Sequence, residues 1–273
     1  MLRLRGRLLD LATPRVMGVV NVTPDSFSDG RGAIDLARAI DLARAHVADG
    51  ADIVDVGGES TRPRATPVTE RDEIARVVPV IAALAADGAL VSVDTMKPAV
   101  MRAAIEAGAA MVNDVRALTS QGALEAVARS DVAFCLMHMQ GDPATMQVAP
   151  SYNDVVAEVR AFLAARVAAA EAAGIARDHI VVDPGFGFGK TLGHNLALLR
   201  GLPAIASLDV PVLAGLSRKS MLGAITGRDV GDRLAASIAA ALAAIARGAA
   251  IVRVHDVRAT VDALRVWHAA CEG

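Results

Sequence analysis

Eight short apolar segments recur along this chain, separated by helical stretches, and nearly every one ends in a polar side chain able to bind or catalyse. They read RVMGVVN ending at Asn21, ADIVDVGGE at Glu59, LVSVD at Asp94, MVND at Asn113 and Asp114, VAFCLMH at His138, IVVD at Asp183, VPVLAGLS at Ser217 and IVRVH at His255. Strands rich in Val and Ile that alternate with helices predict βαβ units and a parallel sheet. Eight of them predict an α/β fold of the (β/α)8 TIM-barrel type, in which the C-terminal strand ends build the active site.

Composition fits one barrel spanning residues 1–273. Hydrophobic residues make up 53% of the chain and aromatics only 3%, so the core must be layers of branched aliphatic side chains. Residues 1–14, with Leu2 and Leu4 before Gly6 and Leu8 and Leu9 after it, predict a short N-terminal hairpin covering the barrel bottom. Apolar spacing of three and four predicts helices over 33–48, 70–86, 98–107, 122–129, 153–173, 195–202, 232–247 and 257–270. Gly50, Gly88, Gly108, Gly174 and Gly248 each stand before a strand, as glycine C-caps.

A net charge of −2 gives no reason to expect nucleic acid or an anionic membrane as partner. The longest apolar helical stretch, 234–246, is broken by Ser237 and is shorter than the ~18 to 20 residues of a bilayer crossing. The N-terminus is too rich in arginine for a signal peptide. Two cysteines make no disulfide framework and point to a reducing, cytoplasmic compartment.

Asp94, Asn113 and Asp183 end three separate strands. Converging in the barrel mouth, they can exchange hydrogen bonds with a planar heterocycle that carries an amino group beside a ring N–H; separately, each can also cap a following helix. In GLSRKS, Ser217, Arg218, Lys219 and Ser220 follow the seventh strand, where barrels often bind phosphate, and a helix starting near Ser220 adds backbone donors. Arg253 lies inside a strand, so it faces a ligand or belongs to an ion pair within the barrel.

DPGFGFGKT mimics a phosphate-binding P-loop, but three residues separate Gly185 from Gly189 where that motif needs four. Its glycines suit close backbone approach to a flat ligand, with Phe186 or Phe188 as wall. HExxH, CxxC and GxSxG are absent, which argues against zinc and a serine nucleophile. A hard cation such as Mg2+ can still be held by Asn21 with substrate phosphates. Long polar loops after Asn21, Glu59 and His138 lie on the same face, where lids usually form.

The blocks GVVNVTPDSFSDG, DVGGESTRP, SVDTMKP, NDVRAL, LMHMQGDPATMQ, DPGFGFGKT, GLSRKSMLG and VRVHDV together resemble the dihydropteroate synthase family of folate-pathway enzymes, in order and across essentially the whole barrel. The resemblance implies a transferase that joins 4-aminobenzoate to the methylene of 6-hydroxymethyl-7,8-dihydropterin diphosphate with Mg2+, as a homodimer. It also implies site roles. Asp94, Asn113 and Asp183 would hold the pterin's aminopyrimidinone edge, with Lys219 at its carbonyl and ring nitrogen and Arg253 over the ring. Arg253 and His255 would border the diphosphate, with Asn21 at the metal. Asp25, Ser26 and Phe27 in the first loop and Thr61, Arg62 and Pro63 in the second would close over the substrates. Phe188, Lys219 and Ser220 would contact 4-aminobenzoate.

Arg64, where the family often has glycine, and the short stretch 30–35 depart from the pattern in the lid loops. A methyltetrahydrofolate methyltransferase partnering a corrinoid protein and a noncatalytic pterin-binding paralogue are rivals. The phosphate-suited loops speak against the first, and the joint presence of Asn21, Asp94, Asp183, Lys219 and Arg253 against the second.

Overall fold

A computed structural model describes residues 1–23, 26–27, 35–61, 66–143 and 145–271. Asp25, Arg62, Pro63 and Arg64 lie outside the described residues, as does most of the stretch 30–35.

The chain opens with an antiparallel hairpin, β1 (Leu2–Leu4) and β2 (Arg7–Leu9), turned at Arg5 and Gly6. Eight parallel strands follow: β3 (Arg15–Asn21), β4 (Ile53–Gly57), β5 (Val91–Asp94), β6 (Met111–Asp114), β7 (Ala133–Met137), β8 (Ile180–Asp183), β9 (Val212–Ala214) and β10 (Ala249–Val254). They pair in sequence order, and β10 closes on β3 to complete the barrel.

The helices are α1 (Leu36–Ala48), α2 (Glu70–Ala86), α3 (Pro98–Glu106), α4 (Ala123–Val127), α5 (Val155–Ala172), α6 (Leu192–Arg200), α7 (Leu202–Ala206), α8 (Ser220–Thr226), α9 (Leu234–Ile245) and α10 (Val257–Cys271). The single helix expected over 195–202 begins earlier, where Thr191 accepts from the His194 N–H and the His194 ring accepts from the Thr191 N–H. It then breaks at Gly201 into α6 and α7. The glycines expected to end helices, Gly50, Gly88, Gly108, Gly174 and Gly248, all adopt positive φ. At Gly108, φ is +111° and a Cβ would sit 2.6 Å from Ala85.

Strand alternation divides the barrel into two packing layers. Outward residues such as Val54, Val93, Val112, Leu136 and Val182 join the buried faces of the helices. Inward residues from the lower strand halves, Met17, Ile53, Met111, Ala133, Cys135, Val181, Leu213 and Ile251, form a second apolar cluster, and Leu2 and Leu4 of the hairpin plug it from below. Leu8 is exposed and does not share in the plug. Among the described residues no helix is long and apolar enough to cross a membrane.

Candidate active site

One step above the apolar cluster the inward positions turn polar. Asp55 of β4 lies beside Ser92 of β5, and Asp94 beside Asn113 of β6. The shared register places these side chains on one face, inside the barrel. Asp183 ends β8, and Arg253 lies on β10.

Arg253 ties the acids together. Its Nε donates to Asp55 Oδ2 at 2.6 Å and its Nη2 to Asp94 Oδ2 at 2.8 Å. The ion-pair expectation for this arginine is therefore met. Burial works against its charge, but Asp55 and Asp94 outweigh it and raise the guanidinium pKa. Asn113 donates from Nδ2 to the same Asp55 oxygen at 3.0 Å.

Burial, opposed by Arg253 and reinforced by Asp55, pushes the Asp94 carboxyl up to about 7. Burial raises Asp183 as well, against the pull of Lys219 and of the Gly185 N–H, which donates to its Oδ1 at 2.6 Å. Burial lowers Lys219 to about 8, with Asp183 holding it from falling further. The Lys219 ammonium donates to the Phe186 carbonyl and stands 4.7 Å from the centre of the Phe188 ring. Of the two candidate wall residues, Phe186 is wholly buried in the outer core, and Phe188 is the one beside the lysine.

The glycines of DPGFGFGK serve the protein's own packing. A Cβ at Gly185 would fall 1.9 Å from the His138 carbonyl, and one at Gly189 would fall 2.5 Å from the Gln140 carbonyl. Lys190, which sequence reasoning passed over, is buried at the end of this loop. Its Nζ meets His138 Nδ1 at 3.0 Å and donates to the carbonyls of Gly185 at 2.9 Å and Phe188 at 3.0 Å. Burial and the nearby Lys219 lower Lys190 to about 7, with Asp183 opposing. Burial and Lys190 lower His138 to about 3, so its ring is neutral and Nδ1 can accept from the Lys190 ammonium.

Other expected residues sit around this centre. Asp114 points outward and accepts from the backbone N–H groups of Arg116 and Leu118, fixing the left-handed turn at Ala117 and Leu118. Glu59 braces the second loop: it accepts from Val68 N–H, and Lys97 joins it to Glu73 at 2.9 and 2.6 Å. Thr61 is half-buried beyond this brace. In the first loop, Ser26 is exposed with its hydroxyl 3.2 Å from Thr23 Oγ1, whereas Phe27 is buried in the outer core. Ser217 Oγ accepts from the His255 N–H at 3.2 Å and lies 3.0 Å from His255 Nδ1. Ser220 is exposed as the first residue of α8, and Arg218 is bound bidentately by Asp256. Burial pushes the Cys135 thiol well up, which removes it as a nucleophile.

Asn21 ends β3 opposite Gly57, where a Cβ would lie 3.6 Å from Asn21 Oδ1 and 3.7 Å from Asp94 Oδ2. Asp94 Oδ2 is taken by Arg253, which leaves Asn21 Oδ1 as the hard oxygen donor here, and among the described residues no group of three or more His, Cys, Asp or Glu side chains is placed to hold a metal. A lone amide oxygen still fits Mg2+, which keeps waters and phosphate oxygens and needs few protein ligands.

Comparison with known proteins agrees with this geometry. Residues 17–255 match the family described as pterin binding enzyme. The dihydropteroate synthase of Escherichia coli K12 is 49% identical over 266 residues, covering 97% of this chain and 94% of that protein. Two solved structures superpose closely. The Xanthomonas albilineans dihydropteroate synthase with 4-aminobenzoic acid has a TM-score of 0.93 and 54% identity, covering 98% of this chain and 97% of that one. The Burkholderia cenocepacia enzyme complexed with 7,8-dihydropteroate has a TM-score of 0.90 and 50% identity, covering 98% and 95%. With a closed barrel, an acid and amide mouth, and relatives matched over nearly their full length, the chain belongs to the dihydropteroate synthase family of pterin-binding enzymes.

Proposed function

We propose that this chain condenses 4-aminobenzoate with (7,8-dihydropterin-6-yl)methyl diphosphate, releasing diphosphate and 7,8-dihydropteroate, by dissociative substitution at the pterin methylene. The observation that carries the reading is the hydrogen-bonded set in which Arg253 joins Asp94 to Asp55 and Asp55 holds Asn113, with Asp183 ending β8 in the same barrel interior.

The pterin's aminopyrimidinone edge offers N–H donors to Asp183 and Asn113, while Lys219 donates toward its carbonyl and ring nitrogen. Departure of diphosphate leaves a cation delocalised over the ring, and Asp94 and Asp183 lie where negative charge stabilises it. Phe188 and Lys219 flank the position from which the aniline nitrogen attacks, and Ser220 stands at the rim for its carboxylate. His255 and Arg253 face the departing diphosphate. Asn21 would hold Mg2+, which when bound neutralises the diphosphate charge. The first and second loops exclude water from a cation that would otherwise be hydrolysed.

The test is steady-state diphosphate release with both substrates and Mg2+. Release should require 4-aminobenzoate and fall sharply on chelation. Failure to release diphosphate when all three are present overturns the reading.

A further inference from the structure

We infer that Asp55 is a positioning residue that sets which end of the Asn113 amide meets the ring, and through it the preference for a 2-amino over a 2-oxo pterin. The inference rests on the pterin reading above.

Asp55 is wholly buried in β4, between Val54 and Val56. One oxygen, Oδ2, accepts from Asn113 Nδ2 two strands away on one side and from Arg253 Nε two strands away on the other. A carboxylate paired with a guanidinium can only accept hydrogen bonds. The Asn113 amide must therefore turn its NH2 toward Asp55, which leaves Oδ1 to serve the ligand. An acceptor at that point selects an N–H edge such as an exocyclic amino group. It leaves a carbonyl at the same ring position with lone pairs facing lone pairs. The other Asp55 oxygen, Oδ1, is buried with no partner. A carboxylate left half-satisfied is a poor stabiliser, so what Asp55 contributes is orientation.

Asp55→Ala removes the oxygen that accepts from both Asn113 Nδ2 and Arg253 Nε, so the Asn113 amide is free to reverse. Kinetics of wild type and variant should be compared on the 2-amino-4-oxo pterin diphosphate and on its 2,4-dioxo analogue. We expect the ratio of kcat/KM for the amino over the oxo substrate to fall about tenfold or more in the variant, on the scale of one mismatched hydrogen bond. KM for 4-aminobenzoate should stay within about twofold, because that subsite does not touch the amide. A uniform loss with an unchanged ratio would mean that Asp55 is merely structural and overturns the inference.

A second measurement needs no variant. The Asn113 side-chain amide protons of the wild type, followed by nitrogen-15 NMR, should exchange slowly and keep their hydrogen-bonded shift when 6-hydroxymethylpterin binds. Free exchange, or a change of partner on binding, would equally overturn it. Wild type that turns over neither substrate would instead remove the pterin reading itself, so the two failures are distinguishable.

Discussion

The lower and upper halves of this barrel use the same inward positions for opposite purposes. In the lower half, Met17, Ile53, Met111, Val181 and Ile251 fill the interior against Leu2 and Leu4 of the hairpin. Two residues further along four of these strands, the inward positions hold Asp55, Asn113, Asp183 and Arg253. The lower layer gains free energy by excluding water. The upper layer accumulates buried charge: its acids are raised by burial, its lysine is lowered, and one carboxylate oxygen has no partner. Such a layer is costly to fold and useful once a ligand of the right polarity fills it. A barrel can therefore bear its stability at one end and its chemistry at the other, two residues apart.

The comparison breaks most readily at the floor. Met111→Ala removes a fully buried side chain from the lower cluster and should cost ~2 to 5 kcal/mol of unfolding free energy. Folded variant should keep wild-type kcat/KM within a few fold. Urea unfolding and the diphosphate assay measure the two quantities on one preparation, and a variant that is stable but inactive would show that the layers are not separable.

Substitution in the upper layer should behave in the reverse way. Asp183→Ala and Lys219→Ala should each lose ~2 to 4 kcal/mol of transition-state stabilisation in kcat/KM. Their midpoints of urea unfolding should change little or rise, because a buried ionisable group has been removed from a site without ligand. A fall in unfolding midpoint as large as that of Met111→Ala would sink the contrast.

Acidity sharpens it further. The free enzyme needs Asp94 ionised and Lys219 protonated. Its kcat/KM should then fall as pH drops through about 7, where Asp94 gains a proton, and as pH rises through about 8, where Lys219 loses one. Lys219→Arg fixes the positive charge, so the alkaline limb should move up or vanish even where the maximum rate is reduced. If the alkaline limb stays at its wild-type position in that variant, Lys219 is not the group that titrates.

Much of this division can be read along the chain. The β/α rhythm gives the barrel, Leu2 and Leu4 give the plug, and polar residues at strand ends give Asp94, Asn113 and Asp183. Asp55 is harder to see, because it lies in the middle of IVDVG rather than at its end. Yet a charge inside an apolar run is the same signal that singles out Arg253, and period two puts Asp55 on the face of Gly57, the neighbour of Asp94. Lys190 could not be read. Its burial depends on carbonyls supplied by Gly185 and Phe188 once that loop has folded back, and in the sequence it looks like the lysine of a P-loop. Phe27 carries the opposite lesson, since an aromatic in a polar loop stretch is buried in the outer core, which its neighbours in the sequence do not announce.

The smallest expected effect concerns a cation that lies in the signature block but outside the buried layer. Arg218 precedes Lys219 in GLSRKS, yet it turns away at a left-handed φ of +59° and pairs with Asp256. The arginine side chain is 41% exposed, so solvent screens the pair despite its bidentate geometry. Arg218→Ala should cost only ~0.2 to 1 kcal/mol of unfolding free energy, with the difference shrinking in high salt. Because the substitution leaves the Lys219 contact with Phe186 in place, KM for either substrate should change less than about threefold, far from the losses expected at the neighbouring lysine. Should Arg218→Ala instead match Lys219→Ala in kcat/KM, the boundary between the chemical layer and the surface around it would have to be redrawn one residue further out.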